Sequence, residues 1–266
     1  MNRREFIISS AAAAGVAAAI QPFGSAAAEP PRAAARQFYE LRLYHLRRGP
    51  MQKRFDDFYR DAAIPAMNRA GISPVGVFSV MTGSDSPTMY VLLPHNSAES
   101  FATANDRVHS DPEYQKAGAE FANASPADPA YVRVDSSLMV AFDAMQKLET
   151  QETLKKSRIF ELRIYESHSK KANKKKIEMF NTAEITIFRR TGLVPVFFGE
   201  TLVGSRLPNL TYMLVFDSAS EREKVWAAFG ADPEWKKLST TPGYTDGEIV
   251  SNISNVLLRP AAYSQI

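Results

Sequence analysis

No cysteine occurs in the 266 residues, so disulfides, thiolate metal ligands and cysteine nucleophiles are all excluded. Glycine-rich phosphate loops, metalloprotease signatures and nucleophile elbows are also absent. The four histidines, His45, His95, His109 and His168, show no spacing suited to metal binding, and no metal site is expected. Charge of one sign is scarce too. The formal net charge is +3, and Arg3, Arg4 and Glu5 together carry +1 of it, leaving +2 for the rest. A nucleic-acid binder carries a strongly basic face, so nucleic acid is not an expected partner. Long apolar runs are missing apart from one near the start. There Arg3-Arg4 precedes an alanine-rich stretch from Ile7 to Ile20, broken by Pro22 and Gly24 and followed by Ala26-Ala27-Ala28. The stretch is shorter than the ~20 apolar residues that span a bilayer. Residues 1–28 therefore read as a twin-arginine export signal, which delivers a folded chain starting at Glu29 to the periplasm. An ordinary secretory signal or an uncleaved anchor is the alternative.

What the chain does have is one phrase stated twice. Residues 39–44 read Tyr-Glu-Leu-Arg-Leu-Tyr, and residues 160–165 read Phe-Glu-Leu-Arg-Ile-Tyr, 121 positions later. Successive side chains of a strand point to opposite faces. Glu40, Arg42 and Tyr44 thus share one face, as do Glu161, Arg163 and Tyr165. Other features recur at the same offset. Phe58, Tyr59, Ala62, Ala66 and Met67 match Met179, Phe180, Ala183, Ile187 and Phe188 on an amphipathic helix. Gly71 and Pro74, placed to end that helix, match Gly192 and Pro195, with Pro65 expected to kink its last turns. Asp111-Pro112-Glu113, a helix start, matches Asp232-Pro233-Glu234.

Each copy reads β-α-β-β-α-β, the ferredoxin-like order. The expected organisation is a tether over 29–36, repeat 1 over 37–144, a linker over 145–156 and repeat 2 over 157–266. Strands are expected at 38–46, 75–82, 89–93 and 136–142, then at 158–167, 212–216 and 248–258. One such unit leaves a sheet face open, so the two are expected to pack as an α+β barrel within one chain. Leu41, Leu43, Leu162 and Ile164 would then lie under outer helices, and the Glu-Arg-Tyr sets would point into the enclosed space.

The Glu-Leu-Arg-x-Tyr strands, the helix ending in glycine before a strand, and Asp232-Pro233-Glu234-Trp235 resemble the NIPSNAP family. That family belongs to the dimeric α/β-barrel superfamily, which implies the same fold. The second copy is closer to the family pattern, with Ser220-Glu221-Arg222 as well. The first departs from it: Tyr114 replaces the tryptophan, and 97–109 lacks the Glu-Arg pair. Relatives with this architecture include cofactor-free monooxygenases, haem-dependent enzymes and lactone isomerases, so the fold leaves the chemistry open.

The candidate site residues are Glu40, Arg42, Tyr44, Glu161, Arg163 and Tyr165. In one reading, arginine faces an anionic or carbonyl group of a small molecule in the barrel cavity while glutamate or tyrosine handles a proton. In the other, Glu and Arg neutralise each other and specify how the sheets meet. No cofactor is expected; His95, just after a strand and within reach of a barrel mouth, is the candidate for a haem or base role. Trp226 and Trp235 are expected to pack rather than stack on a ligand. Lys170, Lys171, Lys174, Lys175 and Lys176, echoed by Arg47, Arg48, Lys53 and Arg54, read as a solvated face. Contact with an anionic cell envelope is the sharper alternative. A monomer is expected if the repeats close on each other, a homodimer if they pair between chains.

Overall fold

A computed structural model describes residues 36–83, 87–150 and 158–266. The export signal, all of the tether but Arg36, and residues 151–156 of the linker lie outside the described residues.

Each repeat contributes four strands. The first supplies β1 (Phe38–His45), β2 (Gly76–Val80), β3 (Thr88–His95) and β4 (Arg133–Ala141), and the second β5 (Ile159–Glu166), β6 (Val194–Val203), β7 (Asn209–Phe216) and β8 (Asn252–Pro260). Among the described residues these eight close into one barrel in the order β1-β3-β2-β8-β5-β7-β6-β4. All pairs are antiparallel, and the repeats meet edge to edge through β2 with β8 and β4 with β6. Edge pairing answers a physical need, because each four-stranded sheet alone would present two unpaired backbone edges. The start of the last expected strand is corrected. Asp246–Ile249 forms a helical turn because Thr245 and Glu248 make a capping box there, and β8 begins only at Asn252.

The long helix of each repeat lies outside the barrel. In the first, Pro50–Phe58, a π-helical turn Tyr59–Ala63 and Ile64–Arg69 run on as α1. Short helices Ala98–Ala102 (α2), Ala104–His109 (α3), Pro112–Ala117 (α4) and Ala119–Ala122 (α5) follow β3. In the second, Lys170–Met179, Phe180–Glu184 and Ile185–Thr191 form α6, with the π turn 121 residues after the first. Ala219–Ala231 (α7), Pro233–Ser239 (α8) and Asp246–Ile249 (α9) complete it. The π turn is not the work of Pro65, since the matching position in α6 is Thr186. Gly71 (φ 77°) and Gly192 (φ 92°) take left-handed conformations just past the two helices, where Ile72 and Leu193 donate back to the carbonyls of Met67 and Phe188.

Among the described residues, three large apolar clusters and a small fourth around Ala172, Met179 and Ile249 divide the interior. One lies between α1 and the first sheet, around Phe55, Phe58, Tyr59 and Met67. A second lies between α6 and the second sheet, around Phe180, Phe188, Phe198 and Tyr212. The third fills the barrel lumen with Tyr39, Leu41, Phe78, Leu92, Met139, Phe160, Leu162, Phe197, Leu258 and Ile266. The facing of β1 and β5 is therefore opposite to expectation. Alternation separates the residues as foreseen, but Leu41, Leu43, Leu162 and Ile164 line the lumen, while Tyr44 and Tyr165 belong to the helix-side clusters. The physical reason is where partners are available. The lumen floor is an apolar plug with nothing to pair a charge, whereas on the helix side Glu161 meets Arg222 and Trp226 of α7, and Glu40 meets Arg42 and Ser136.

Candidate functional site

The two Glu-Arg-Tyr sets sit under the helices, in equivalent places, with different surroundings. In repeat 2 Glu161 is fully buried and accepts five hydrogen bonds. Arg222 donates two of them at 2.7 and 2.8 Å, Arg163 one at 2.8 Å, the Trp226 indole one at 2.9 Å and Asn255 one at 3.1 Å. Burial raises the pKa of its carboxyl, but the hydrogen bonds from Arg222, Asn255 and Trp226 outweigh this and bring it to about 2. The Arg163 guanidinium lies 4.8 Å from the centre of the Trp226 ring and donates to Tyr165 at 3.2 Å, and Tyr165 in turn bonds Tyr212 at 3.0 Å. Beneath it, Lys176 and Glu184 form a buried ion pair at 3.1 Å, with the Lys176 ammonium 5.1–5.6 Å from the Phe180, Tyr165 and Trp235 rings. In the second set the indole of Trp226 thus covers one face of the arginine.

Repeat 1 differs at the positions that pack around the second set. Asn105 stands where repeat 2 has Trp226, Phe101 where it has Arg222, Val108 where it has Phe229, and Tyr114 where it has Trp235. Without the second arginine, Arg42 pairs with Glu40 through two bonds, Nε to Oε1 at 2.6 Å and Nη2 to Oε2 at 2.9 Å. Its Nη2 also donates to Asn105 at 3.2 Å, and Ser136 donates to Glu40 at 3.0 Å. Burial again raises the Glu40 pKa, and hydrogen bonding led by His95 and Arg42 lowers it to about 2. Of those two, Arg42 is the partner with hydrogen-bond geometry, since His95 Nε2 stands 3.6 Å away. The third nitrogen of Arg42, Nη1, makes no hydrogen bond among the described residues.

The smaller side chains open a pocket of 220 Å³ between sheet and helices, reached by Arg42, Tyr44, Tyr59, Asn105, His109 and Tyr131. Phe58 and Phe121, stacked at 3.9 Å, form part of its wall. Tyr59, in the π turn, is fully buried, and its hydroxyl has no hydrogen-bond partner among the described residues. Burial, and then Tyr44 beside it, push its pKa well above the usual value, so it meets a ligand as a neutral hydroxyl. His109 is held by its Nδ1 contact at 2.7 Å to the Asn105 carbonyl.

A second cavity, of 820 Å³, opens at one end of the barrel lumen. Its floor is apolar, with Leu41, Leu43, Leu162 and Ile164, and its mouth carries His45, Asp135 and Arg206. His45 faces the lumen side of β1 and meets Asp135 at 2.7 Å. His95 is corrected in place. It is 1% exposed, packs edge-on against Phe101 at 5.5 Å, and lines neither cavity, so the residues around it offer no room for a haem. Among the described residues no group of His, Asp and Glu is placed to hold a metal ion. The lysine cluster is also not one solvated face: Lys176 is buried, Lys174 pairs with Glu200 and Lys175 with Glu178.

The NIPSNAP family model matches residues 39–142 and 160–265. The chain belongs to the NIPSNAP family. Among curated proteins, none matches it in sequence. A protein from Fusobacterium nucleatum subsp. nucleatum assigned as a monooxygenase shares 11% identity with it at a TM-score of 0.58, over 85% of this chain and 93% of that one. A protein from Lactobacillus acidophilus, assigned likewise, shares 9% identity at 0.55, over 85% and 94%. At these identities the likeness is one of fold. A NIPSNAP-like domain from Burkholderia xenovorans shares 21% identity over 41% of this chain and 90% of its own, with a TM-score of 0.38. The sequence reading placed the site in the barrel cavity and missed this pocket; the signal that could have found it is the first copy's departure from the family pattern, with no Glu-Arg pair in 97–109 and Tyr114 for tryptophan.

Proposed function

We propose that this NIPSNAP chain binds a small, planar, oxygenated or anionic molecule between the sheet and the helices of its first repeat. The observation that carries this reading is the exchange of Trp226 for Asn105 at equivalent places, which lays an indole over one arginine and leaves the other beside a 220 Å³ pocket. Drug-sized ligands occupy roughly 300–1,000 Å³, so the ligand is smaller than these. Aromatic walls suit a flat ring. Arg42 Nη1 and the Tyr59 hydroxyl are donors for a carbonyl, phenolic or carboxylate oxygen. Glu40 neutralises Arg42, so the pair orients an oxygen rather than attracting a bare charge from a distance.

The two fold neighbours assigned as monooxygenases make an oxygenated aromatic a reasonable class to try first. Benzoate is a suitable probe, titrated by calorimetry into the full chain. The expected result is binding at one site per chain. Asn105→Trp should abolish it while leaving the melting temperature in place, and Tyr59→Phe should weaken it by up to about tenfold, the worth of one hydrogen bond. Benzoate bound equally well by Asn105→Trp would end this reading. Export to the periplasm is part of the same proposal, on the strength of residues 1–28. It is tested by fractionating cells that express the chain with Arg3 and Arg4 changed to lysine, which should leave it in the cytoplasm.

A further inference from the structure

The exposed large hydrophobic side chains are not scattered. Tyr131, Val132, Leu202, Val203, Leu207 and Ile253 are each 40–62% exposed. Each lies within two residues of one that lines the lumen cavity: Arg133 for the first pair, Thr201, Gly204 and Arg206 for the next three, and Ser254 for the last. They therefore gather at one barrel mouth, on the rim ends of β4, β6 and β8 and the β6–β7 connection, where single exposed apolar residues would need no account but such a grouping does. Basic residues flank this arc. Arg206 sits at the tip of the β6–β7 connection, Arg47 and Arg48 follow the rim end of β1, and Lys170 and Lys171 follow the rim end of β5. All five are exposed and form no ion pair among the described residues. Among the described residues, the rim carboxylates of β4 and β5 are engaged: Asp135 holds His45 and Arg133, and Glu166 accepts from Asn252.

We propose that this end of the barrel docks on an anionic lipid bilayer. An apolar arc flanked by exposed cations matches the acyl–headgroup boundary below and the phosphate layer around it. No helix among the described residues is long and apolar enough to cross a membrane, so the contact is peripheral. In this pose the 820 Å³ lumen, with its apolar floor, opens toward the lipid. The inference does not depend on the benzoate pocket.

Sedimentation of the full chain with two kinds of vesicle tests it: phosphatidylcholine alone, and phosphatidylcholine with one-third phosphatidylglycerol. Binding should be to the anionic vesicles and should weaken as salt is raised. Lys170→Ser with Lys171→Ser should lower it by roughly fivefold per residue. Val203→Asp with Leu207→Asp, both at exposed positions, should lower it more than about tenfold with an unchanged melting temperature. Lys147→Glu, in the segment after β4 at the opposite end, should leave it unaltered. Each variant keeps the same N-terminal segment, so a loss reports on the mouth alone. Wild-type chain that ignores anionic vesicles, or a double aspartate variant that binds them fully, would overturn the proposal. A wild type that is dimeric in light scattering, turns monomeric with the double change and binds no vesicles would show a second copy as the occupant, and would overturn it equally.

Discussion

Glu161 and Glu40 show how a buried carboxylate comes to be stabilising rather than costly. Each is desolvated, and each is held ionised by donors on neighbouring elements, which lowers its pKa from 4.5 to about 2. The unfolded chain therefore takes up these protons first as pH falls. The stability they contribute is present above pH ~4.5 and is lost as pH drops toward about 2. Thermal melts from pH 6 down to pH 2 should show that loss, with a shallower slope in Glu161→Gln, which has no such proton to take up. Truncation to Glu161→Ala leaves Arg222, Arg163 and Trp226 without their shared acceptor, and should cost about 3–5 kcal/mol in a denaturant titration. At this scale the sequence was informative about which residues group together and silent about where they point. In a barrel wrapped by helices both strand faces are buried, so alternation identifies two sets without saying which one faces the lumen.

Among the elements, the helices carry the difference between the repeats. Two of their starts were legible, because Asp111 and Asp232 cap as their residue types suggest. The π turns at Tyr59–Ala63 and Phe180–Glu184 were not, since an amphipathic pattern looks alike with or without one extra residue in a turn. π turns recur at functional sites, and here one places Tyr59 in the open pocket. Gly71 and Gly192 hold left-handed backbone after α1 and α6, and alanine there should cost ~1–2 kcal/mol. The cost should be larger at Gly192, where a β-carbon would stand 3.2 Å from Val225 Cγ1. Chemical denaturation of the two variants side by side checks this order.

For the molecule as a whole, closure depends on pairings between repeats, and the C-terminus takes part. Gln265 donates to the Val75 carbonyl, Ala261 to that of Val77, and the Val77 amide donates to Ser264, while Ile266 joins the lumen plug at 2% exposure. Ending the chain at Pro260 should therefore lower stability by at least ~2 kcal/mol, the worth of burying that isoleucine. The duplicated strand-helix-strand grammar made this fold readable, because every repeated feature constrains the other copy. The pocket was harder to read because it arises where the copies disagree, and a repeat draws the eye to agreement. What decides ligand binding is that Asn105 leaves a pocket beside Arg42, where its counterpart Trp226 lies against Arg163. Crystals of the full chain grown with 4-bromobenzoate and measured at the bromine edge address this most directly. The expected result is one anomalous peak per chain, in the first-repeat pocket beside Arg42; a peak beside Arg163, or only in the barrel lumen, would contradict it.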